Sequence, residues 1–249
     1  MTEPTASSRG GLGTIRNATK LLSLLAAGPA LQHLTDLAER SEMSVPTVHR
    51  LLRSLVLADY AVQDPTTLRY GLGPELSRLA AHYRSKHPVM NAVSPFVVAL
   101  RDQLQATIAT SILVGHELVC LDQVDARDRG AFRVPHGAVP ALESAAGRLL
   151  AARADEATWD MILADAPDET AETARQNKAE WAQAEHLYLP ASDMLHAAEA
   201  AVLIKDAEGS AVATLSADIS ADTSTDDVKK IIAVLNRTAI SCGGTLRNG

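Results

Sequence analysis

The chain has 249 residues, 47% hydrophobic and 21% charged, with a mean hydropathy near zero. This describes a soluble globular protein long enough for one large domain or two ordinary ones, and no apolar run approaches the roughly eighteen residues of a membrane span. A formal net charge of −7 argues at first sight against a polyanionic partner, and 3% aromatic residues argue against stacking platforms for single-stranded nucleic acid.

The charge is unevenly spread. Residues 1–88 hold ten basic and seven acidic side chains, a net +3, which leaves −10 for the remainder. Such asymmetry hints at a nucleic-acid-facing module joined to something else. Cys120 and Cys242 lie far apart with no companion ligand spacing and read as reduced thiols. With an N-terminus that lacks the apolar core of a signal peptide, they make the expected location cytoplasmic.

Residues 1–13 read as a disordered lead. "TIRNATKLLSLLAAG" then spaces Ile15, Ala18, Leu21, Leu22 and Leu25 as one helix face, stopped by Gly28 and Pro29. Leu31 to Leu34 reads as a short strand, and Thr35 as the cap of a short helix over "DLAERSEM". Ser44 caps a third helix with Pro46 in its first turn, where a missing N–H costs nothing. Val48, Leu51, Leu52, Leu55 and Val56 form its buried stripe. The two short runs of "YAVQDPTTLRYGLG" flank a turn at Pro65, Thr66 and Thr67, and read as a β-hairpin.

Helix, short helix, turn, helix and hairpin is the order of a winged helix-turn-helix over residues 14–74. Its last helix enters the major groove of duplex DNA. Ser44, Thr47, His49, Arg50 and Arg53 lie on that helix's outer side as donors for base edges and phosphates, and Arg69 on the wing faces a neighbouring backbone. The competing reading, in which Arg50 and Arg53 only pair with Glu42 or Asp59 on a solvated face, suits a lone helix better than this whole pattern.

Residues 75–90 continue as a linker helix with Leu76, Leu79, Ala80 and Tyr83 on one side, a candidate dimer contact. Pro88 ends it, and Ser94 with Pro95 starts another helix. From Thr107 the period changes to strands: "TIATSILV", a turn at Gly115-His116, and "ELVCLDQV". "DARDRG" reads as a loop, "AFRV" as an edge strand, and "PHGAVPALESAAGRLLAARA" as a loop entering a helix near Glu143 or Ser144. "EATWDMILADA" and the Ala-rich stretch after it read as helices. "AAEAAVLI" and "SAVATLSADI" read as an antiparallel hairpin. Ser224 and Asp227 form a capping box for a last helix that Gly243-Gly244 terminates. The fold class is therefore α+β: a winged helix-turn-helix, a linker helix, and an antiparallel-sheet sensor domain over 91–249.

The words "LTDLAERSEMSVPTVHRLLRSL" and "YAVQDPTTLRYGLG" resemble the DNA-binding domain of the isocitrate lyase regulator (IclR) family of bacterial transcription factors. The departures are Asn17, Ala58-Asp59 and the Thr66-Thr67 wing tip. "HGAVPALESAAGRLLAA" and "AAVLIKDAEGSAVATLSADIS" resemble segments of the family's second domain. The resemblance implies a GAF-like, effector-binding second domain, a homodimer or dimer of dimers on double-stranded operator DNA, and repression of a catabolic operon. It also implies a pocket lined by Ser144, Ala145, Ala146, Glu199, Ser216 and Asp218. The resemblance implies an organic acid as effector. Glu199 departs from the family, with Asp218 a second acid nearby. Two carboxylates in a partly desolvated pocket favour instead a donor such as an amide, hydrazide, amine or hydroxyl. That donor would sit on a small aromatic or carbonyl-bearing molecule with its acceptor end at Ala145 and Ala146 and its donor end at Glu199. The alternative is that both acids face solvent at the strand ends.

No G-x-S-x-G, P-loop, H-E-x-x-H or C-x-x-C occurs, so no catalytic residue, cofactor or metal is expected, nor a membrane partner. A transition-metal set of His116, Cys120, Asp122 and His136 is conceivable, because even-spaced residues share a strand face. A turn histidine and a buried thiol explain the same residues more simply. An enzyme or metal-sensing domain fused to a DNA-targeting module, and a purely architectural DNA-binding protein, are the alternatives. The missing catalytic constellation weighs against an enzyme, and the large acidic second domain against an architectural role.

Overall fold

The computed structural model describes residues 6–127, 137–191 and 197–246. The backbone divides into two compact units, residues 1–83 and 84–249. The expected edge strand "AFRV" and His136 lie outside the described residues.

In the first unit, α1 (Ala6–Ala27) starts well before Thr14, inside the stretch expected as a disordered lead. Once the amphipathic part is helical, each added residue gains one hydrogen bond without a new nucleus. α2 (Leu34–Ser41) has His33 and not Thr35 at its N-cap position, and the His33 side chain makes no capping bond. Thr35 falls in the first turn, its Oγ1 3.4 Å from Asp36 Oδ1. The expected strand at Leu31–Leu34 shrinks to a bridge between Gln32 and Tyr70, because Leu34 is already helical. α3 (Val45–Leu57) starts from Ser44 with proline in its first turn. β1 (Ala61–Gln63) and β2 (Tyr70–Leu72) pair antiparallel as the wing. Leu21, Leu25, Leu37, Val48, Leu52 and Tyr70 are central to the core they share. α4 (Pro74–Lys86) has no buried residue, and the boundary between the units falls within it.

The second unit opens with α5 (Pro88–Leu104), which begins at the first proline and runs through Pro95. The start expected at Ser94 is six residues late. Pro95 removes one intrahelical bond, but burial of Val89, Ala92, Val93, Val97 and Leu100 holds the helix together across it. β3 (Thr107–Val114) and β4 (Glu117–Val124) follow as expected, turning at Gly115 with φ +60°. β5 (Ala138–Pro140), a 3-10 turn (Ala141–Glu143), α6 (Ala145–Ala151), α7 (Glu156–Asp165) and α8 (Asp168–Gln183) come next. The stretch expected as one Ala-rich helix ends in a short strand, β6 (His186–Leu189). β7 (Ala198–Lys205), β8 (Ala211–Ile219) and α9 (Thr225–Leu246) complete the unit.

The six strands form one antiparallel sheet in the order β5-β4-β3-β8-β7-β6. α5 and α9 cover one face over Ile108, Ile112, Val202 and Leu215, while α6 covers the other at Ala201 and Leu203. Ser224 caps α9 as expected, its Oγ accepting from the Asp227 N–H at 3.2 Å. The Asp227 carboxylate takes the Ser224 hydroxyl at 2.8 Å and not the Ser224 N–H, so only half of the expected capping box forms. Gly243 does not end α9. A Cβ there would stand 2.7 Å from the Lys205 carbonyl oxygen, so glycine lets the helix press on β7.

Thr110 sits on the face of the sheet that carries Ile108 and Ile112, fully buried, and its Oγ1 has no hydrogen-bond partner. A buried hydroxyl without a partner is destabilising, and valine keeps the branched shape. Thr110→Val should therefore stabilise the second unit by about 1 kcal/mol, read as a raised midpoint in urea unfolding at unchanged slope.

Candidate functional site

Two places gather the residues singled out from the sequence. The first is the outer side of α3 with the wing. Val48, Leu51 and Leu52 anchor the helix, so the 3.6-residue period turns His49, Arg50 and Arg53 outward, where all three are exposed. Ser44 is the N-cap with extended backbone, but its hydroxyl meets Thr47 Oγ1 at 2.8 Å and caps no amide. Both hydroxyls therefore stay near the surface at the helix's leading end. Arg69 lies outside β2, and its Nε donates to His33 Nε2 at 3.1 Å. That bond ties the wing to the start of α2. Between α2, α3 and the wing lies a cleft of about 400 Å³, bordered among others by His33, Thr35, His49, Gln63, Thr67 and Leu68.

Gln32 escaped the sequence reading. It is 4% exposed, and its carboxamide donates to the carbonyls of Leu24, Leu25 and Pro29 at 3.0 to 3.2 Å. Its Oε1 accepts from Arg40 Nη1 at 2.7 Å, and its backbone exchanges two 2.8 Å bonds with Tyr70. One residue thus joins the end of α1 and the body of α2 through its side chain, and the wing through its backbone. A glutamine between two leucine-rich segments gives no sequence signal for this.

The second place is the α6-side face of the sheet. Cross-strand pairing puts Glu199 opposite Asp218 and Thr107 opposite Asp218. Ser111, Thr214 and Ser216 share that face and are buried. The opposite face at the same strands is Ala, Val, Ile and Leu apart from Thr110. Ser144 caps α6 by accepting from the Gly147 N–H at 2.9 Å. The fold therefore brings Ser144, Ala145, Ala146, Glu199, Ser216 and Asp218 to one side of one sheet.

Their arrangement differs from the expectation in one respect. Glu199 Oε2 accepts from the Ala145 N–H at 2.6 Å, across 54 positions of sequence. The amide expected to meet an effector's oxygen is taken by the chain's own carboxylate. Glu199 keeps some exposed surface as a residue, yet its carboxyl is enclosed, and its pKa is pushed up to about 7. Burial is the main cause. The Ala145 N–H works against it, the Asp218 charge adds to it, and Ser216 and the Ala146 N–H oppose it. Arg148 is the nearby cation. Burial depresses its pKa while Glu199 supports its charge. Its Nε donates to the Leu142 carbonyl at 2.9 Å and its guanidinium stacks 5.2 Å from the Trp181 ring.

The residues considered for a metal do not converge. Asp122 pairs with Thr110 and Cys120 with Ser111, so a bulge at Leu121 sends the two side chains to opposite faces. Even spacing fails there because the strand has one extra residue. His116 lies in the β3–β4 turn, 3.8 Å from Asp165. No metal-holding group of three or more His, Cys, Asp or Glu occurs among the described residues, and none of their helices is long and apolar enough to cross a membrane.

The family model of the IclR helix-turn-helix domain matches residues 14–65. A solved IclR transcriptional regulator from a Silicibacter species superposes with a TM-score of 0.79 over 94% of this chain and 96% of that one, at 21% identity. Residues 14–65 thus carry an IclR-type helix-turn-helix domain, and the whole chain shares the fold of solved IclR regulators. An IclR homologue from Microbacterium hydrocarbonoxydans, solved with 4-hydroxybenzoate, gives a TM-score of 0.71 over 95% and 100% of the two chains, at 19% identity. Among curated IclR-type relatives, an HTH-type transcriptional regulator of Mycobacterium tuberculosis is 34% identical over 119 residues, 46% of this chain and 44% of that protein. The regulator BhcR of Paracoccus denitrificans is 28% identical over 150 residues, 60% and 53% of the two chains. The matched stretch thus spans about half the length of these two relatives.

Glu199 has a testable energetic consequence. Its folded pKa near 7 lies above the 4.5 of the free group, so the folded state holds the proton more tightly. Stability from this residue is highest at acid pH and falls as pH rises from about 4.5 through 7. Glu199→Gln should thus match the wild type near pH 5 and exceed it near pH 8 by up to about 3 kcal/mol. Both tryptophans, Trp159 and Trp181, belong to this unit, so their fluorescence during unfolding reports it directly. A difference that does not change with pH would place the carboxyl in water.

Proposed function

We propose that this chain is a transcriptional regulator that binds double-stranded operator DNA through residues 14–74 and answers to a small organic effector held by its second unit. The observation that carries the reading is the outer side of α3. His49, Arg50 and Arg53 stand exposed on a helix whose inner side is fixed in a core, beside a hairpin bearing Arg69. That is the geometry with which a recognition helix enters a major groove while a wing holds the adjoining backbone. One such helix reads too few base pairs alone, so the active species is a two-fold dimer on a roughly palindromic site. Supporting a dimer, Leu79 and Tyr83 on α4 and Ile15 on α1 remain exposed.

The relatives favour repression. AllR of Escherichia coli, 25% identical over 163 residues, is named a repressor. The chain acts in the cytoplasm, where operator DNA is, and carries out no reaction of its own. For the effector, the supporting observation is the difference between the two faces of the sheet. Buried hydroxyls and two facing carboxylates on the α6 side are not what a packing face needs. Because Glu199 already holds the Ala145 N–H, an incoming ligand offers donors to Glu199, Asp218 and Ser216. The 4-hydroxybenzoate bound by the Microbacterium homologue is consistent with an aromatic ligand carrying a hydroxyl, and an amide, hydrazide or amine offers the same donors.

Duplexes selected from a random-sequence pool by the full-length protein supply the test. Arg50→Ala and Arg53→Ala should each weaken binding to the selected duplex by roughly tenfold or more while thermal unfolding stays unchanged. Normal binding by both variants would remove α3 from the interface. Arg69→Ala should weaken selected and unselected duplexes alike and flatten the salt dependence by about one unit. A loss at a single base pair would make Arg69 a base reader.

A further inference from the structure

Among the described residues four that are not glycine have positive φ: Glu42, Asp59, Leu68 and Gln105. Glu42 and Gln105 close α2 and α5 as left-handed caps, and Asp59 follows the cap of α3. Polar residues at helix ends take this conformation routinely. Leu68 is different. It has φ 57°, ends no helix, and carries a branched apolar side chain for which the region is unfavourable.

The wing turn leaves it no alternative. The Leu68 N–H donates to the Asp64 carbonyl at 2.9 Å, and Gln63 Nε2 donates to the Leu68 carbonyl at 3.2 Å. Asp64 Oδ1 in turn accepts from the Thr66 and Thr67 N–H groups at 3.1 and 2.6 Å and from Thr67 Oγ1 at 2.7 Å. The strain is not offset by burial, because Leu68 is 63% exposed. Its side chain instead borders the cleft between wing and α3, next in sequence to Arg69. A strained residue that its surroundings over-determine, exposed beside a binding surface, is where strain serves contact with a partner.

We propose that Leu68 is an apolar contact of the wing with the minor groove of the duplex, set against sugars and base edges beside the major-groove segment read by α3. The inference rests on the reading of residues 14–74 as a duplex-binding unit. Leucine side chains that enter a minor groove favour steps that unstack easily, chiefly pyrimidine–purine steps. Such a contact displaces no counterion, so it adds affinity without adding to the salt slope. Arg69 supplies the charge and Leu68 the sensitivity to groove shape.

The experiment uses the full-length protein and the duplex it selects from a random pool, with 2-aminopurine placed at successive positions flanking the α3 footprint. Leu68→Ala and Leu68→Gly are expected to weaken binding about tenfold, with the salt slope unchanged and the 2-aminopurine signal lost. Leu68→Met should keep most of both. Leu68→Gly relieves the left-handed strain, so its thermal midpoint should equal or exceed that of the wild type, which separates contact from folding. Wild-type affinity in Leu68→Gly would overturn the proposal. So would a flattened salt slope matching Arg69→Ala, which would make Leu68 a support for Arg69. So too would a shift of the monomer–dimer balance in sedimentation, which would place Leu68 at a protein contact. If the wild type selects no duplex, the DNA reading itself has failed and this inference falls with it.

Discussion

The first unit depends on one buried carboxamide. Helices α1 and α2 meet near Gly28 and Pro29 at an end whose carbonyls have no helical partner. Gln32 supplies donors to three of them and takes Arg40 on its oxygen. Because the same residue's backbone pairs with Tyr70, closing the end of α1 also fixes where the wing stands. Gly28 makes room: a Cβ there would lie 2.6 Å from the Gln32 side chain. The wing that carries Arg69 is therefore set against α1 and α2 through Gln32, while α3 is held by the apolar core it shares with them. A polar network of this kind is stable only when every member is satisfied.

The second unit shows the complementary arrangement. Its sheet is almost wholly apolar toward α5 and α9, whereas toward α6 buried hydroxyls and two facing carboxylates stand beside a smaller apolar cluster. Glu199 marks the division. A carboxyl enclosed beside Asp218 is costly when ionised, and the Ala145 N–H offsets only part of that cost. A chain selected for stability alone would place an apolar side chain there. Glu199 instead places a titratable group at the junction between the sheet and α6.

Strongly periodic elements were legible from residues alone. The α3 stripe, the β3–β4 and β7–β8 hairpins and the Ser224 cap of α9 all follow from spacing and cap chemistry. What escaped was set by tertiary contacts. β5 and β6, with three and four residues, are too short to show alternation and exist because β4 and β7 offer free edges. Gly243 read as a stop, yet it is a point of close approach to Lys205. Pro95 read as a start, yet the buried side of α5 carries the helix across it. The bulge at Leu121 defeated an argument from even spacing. Of the candidate site, the exposed residues of α3 and the polar set on the sheet were legible, the latter through family resemblance. The Glu199–Ala145 bond joins positions too distant for any local pattern to reveal.

In the proposed DNA-bound state α3 enters a major groove while the wing tracks the neighbouring backbone. Dimethyl sulfate protection of the selected duplex tests it directly, since the reagent attacks guanine N7 in the major groove and adenine N3 in the minor groove. Guanine protections in two symmetry-related clusters, centred about one helical turn or a multiple of it apart, with flanking minor-groove effects at the wings, are the expected result. A bound complex whose guanine N7 positions all remain reactive would contradict it.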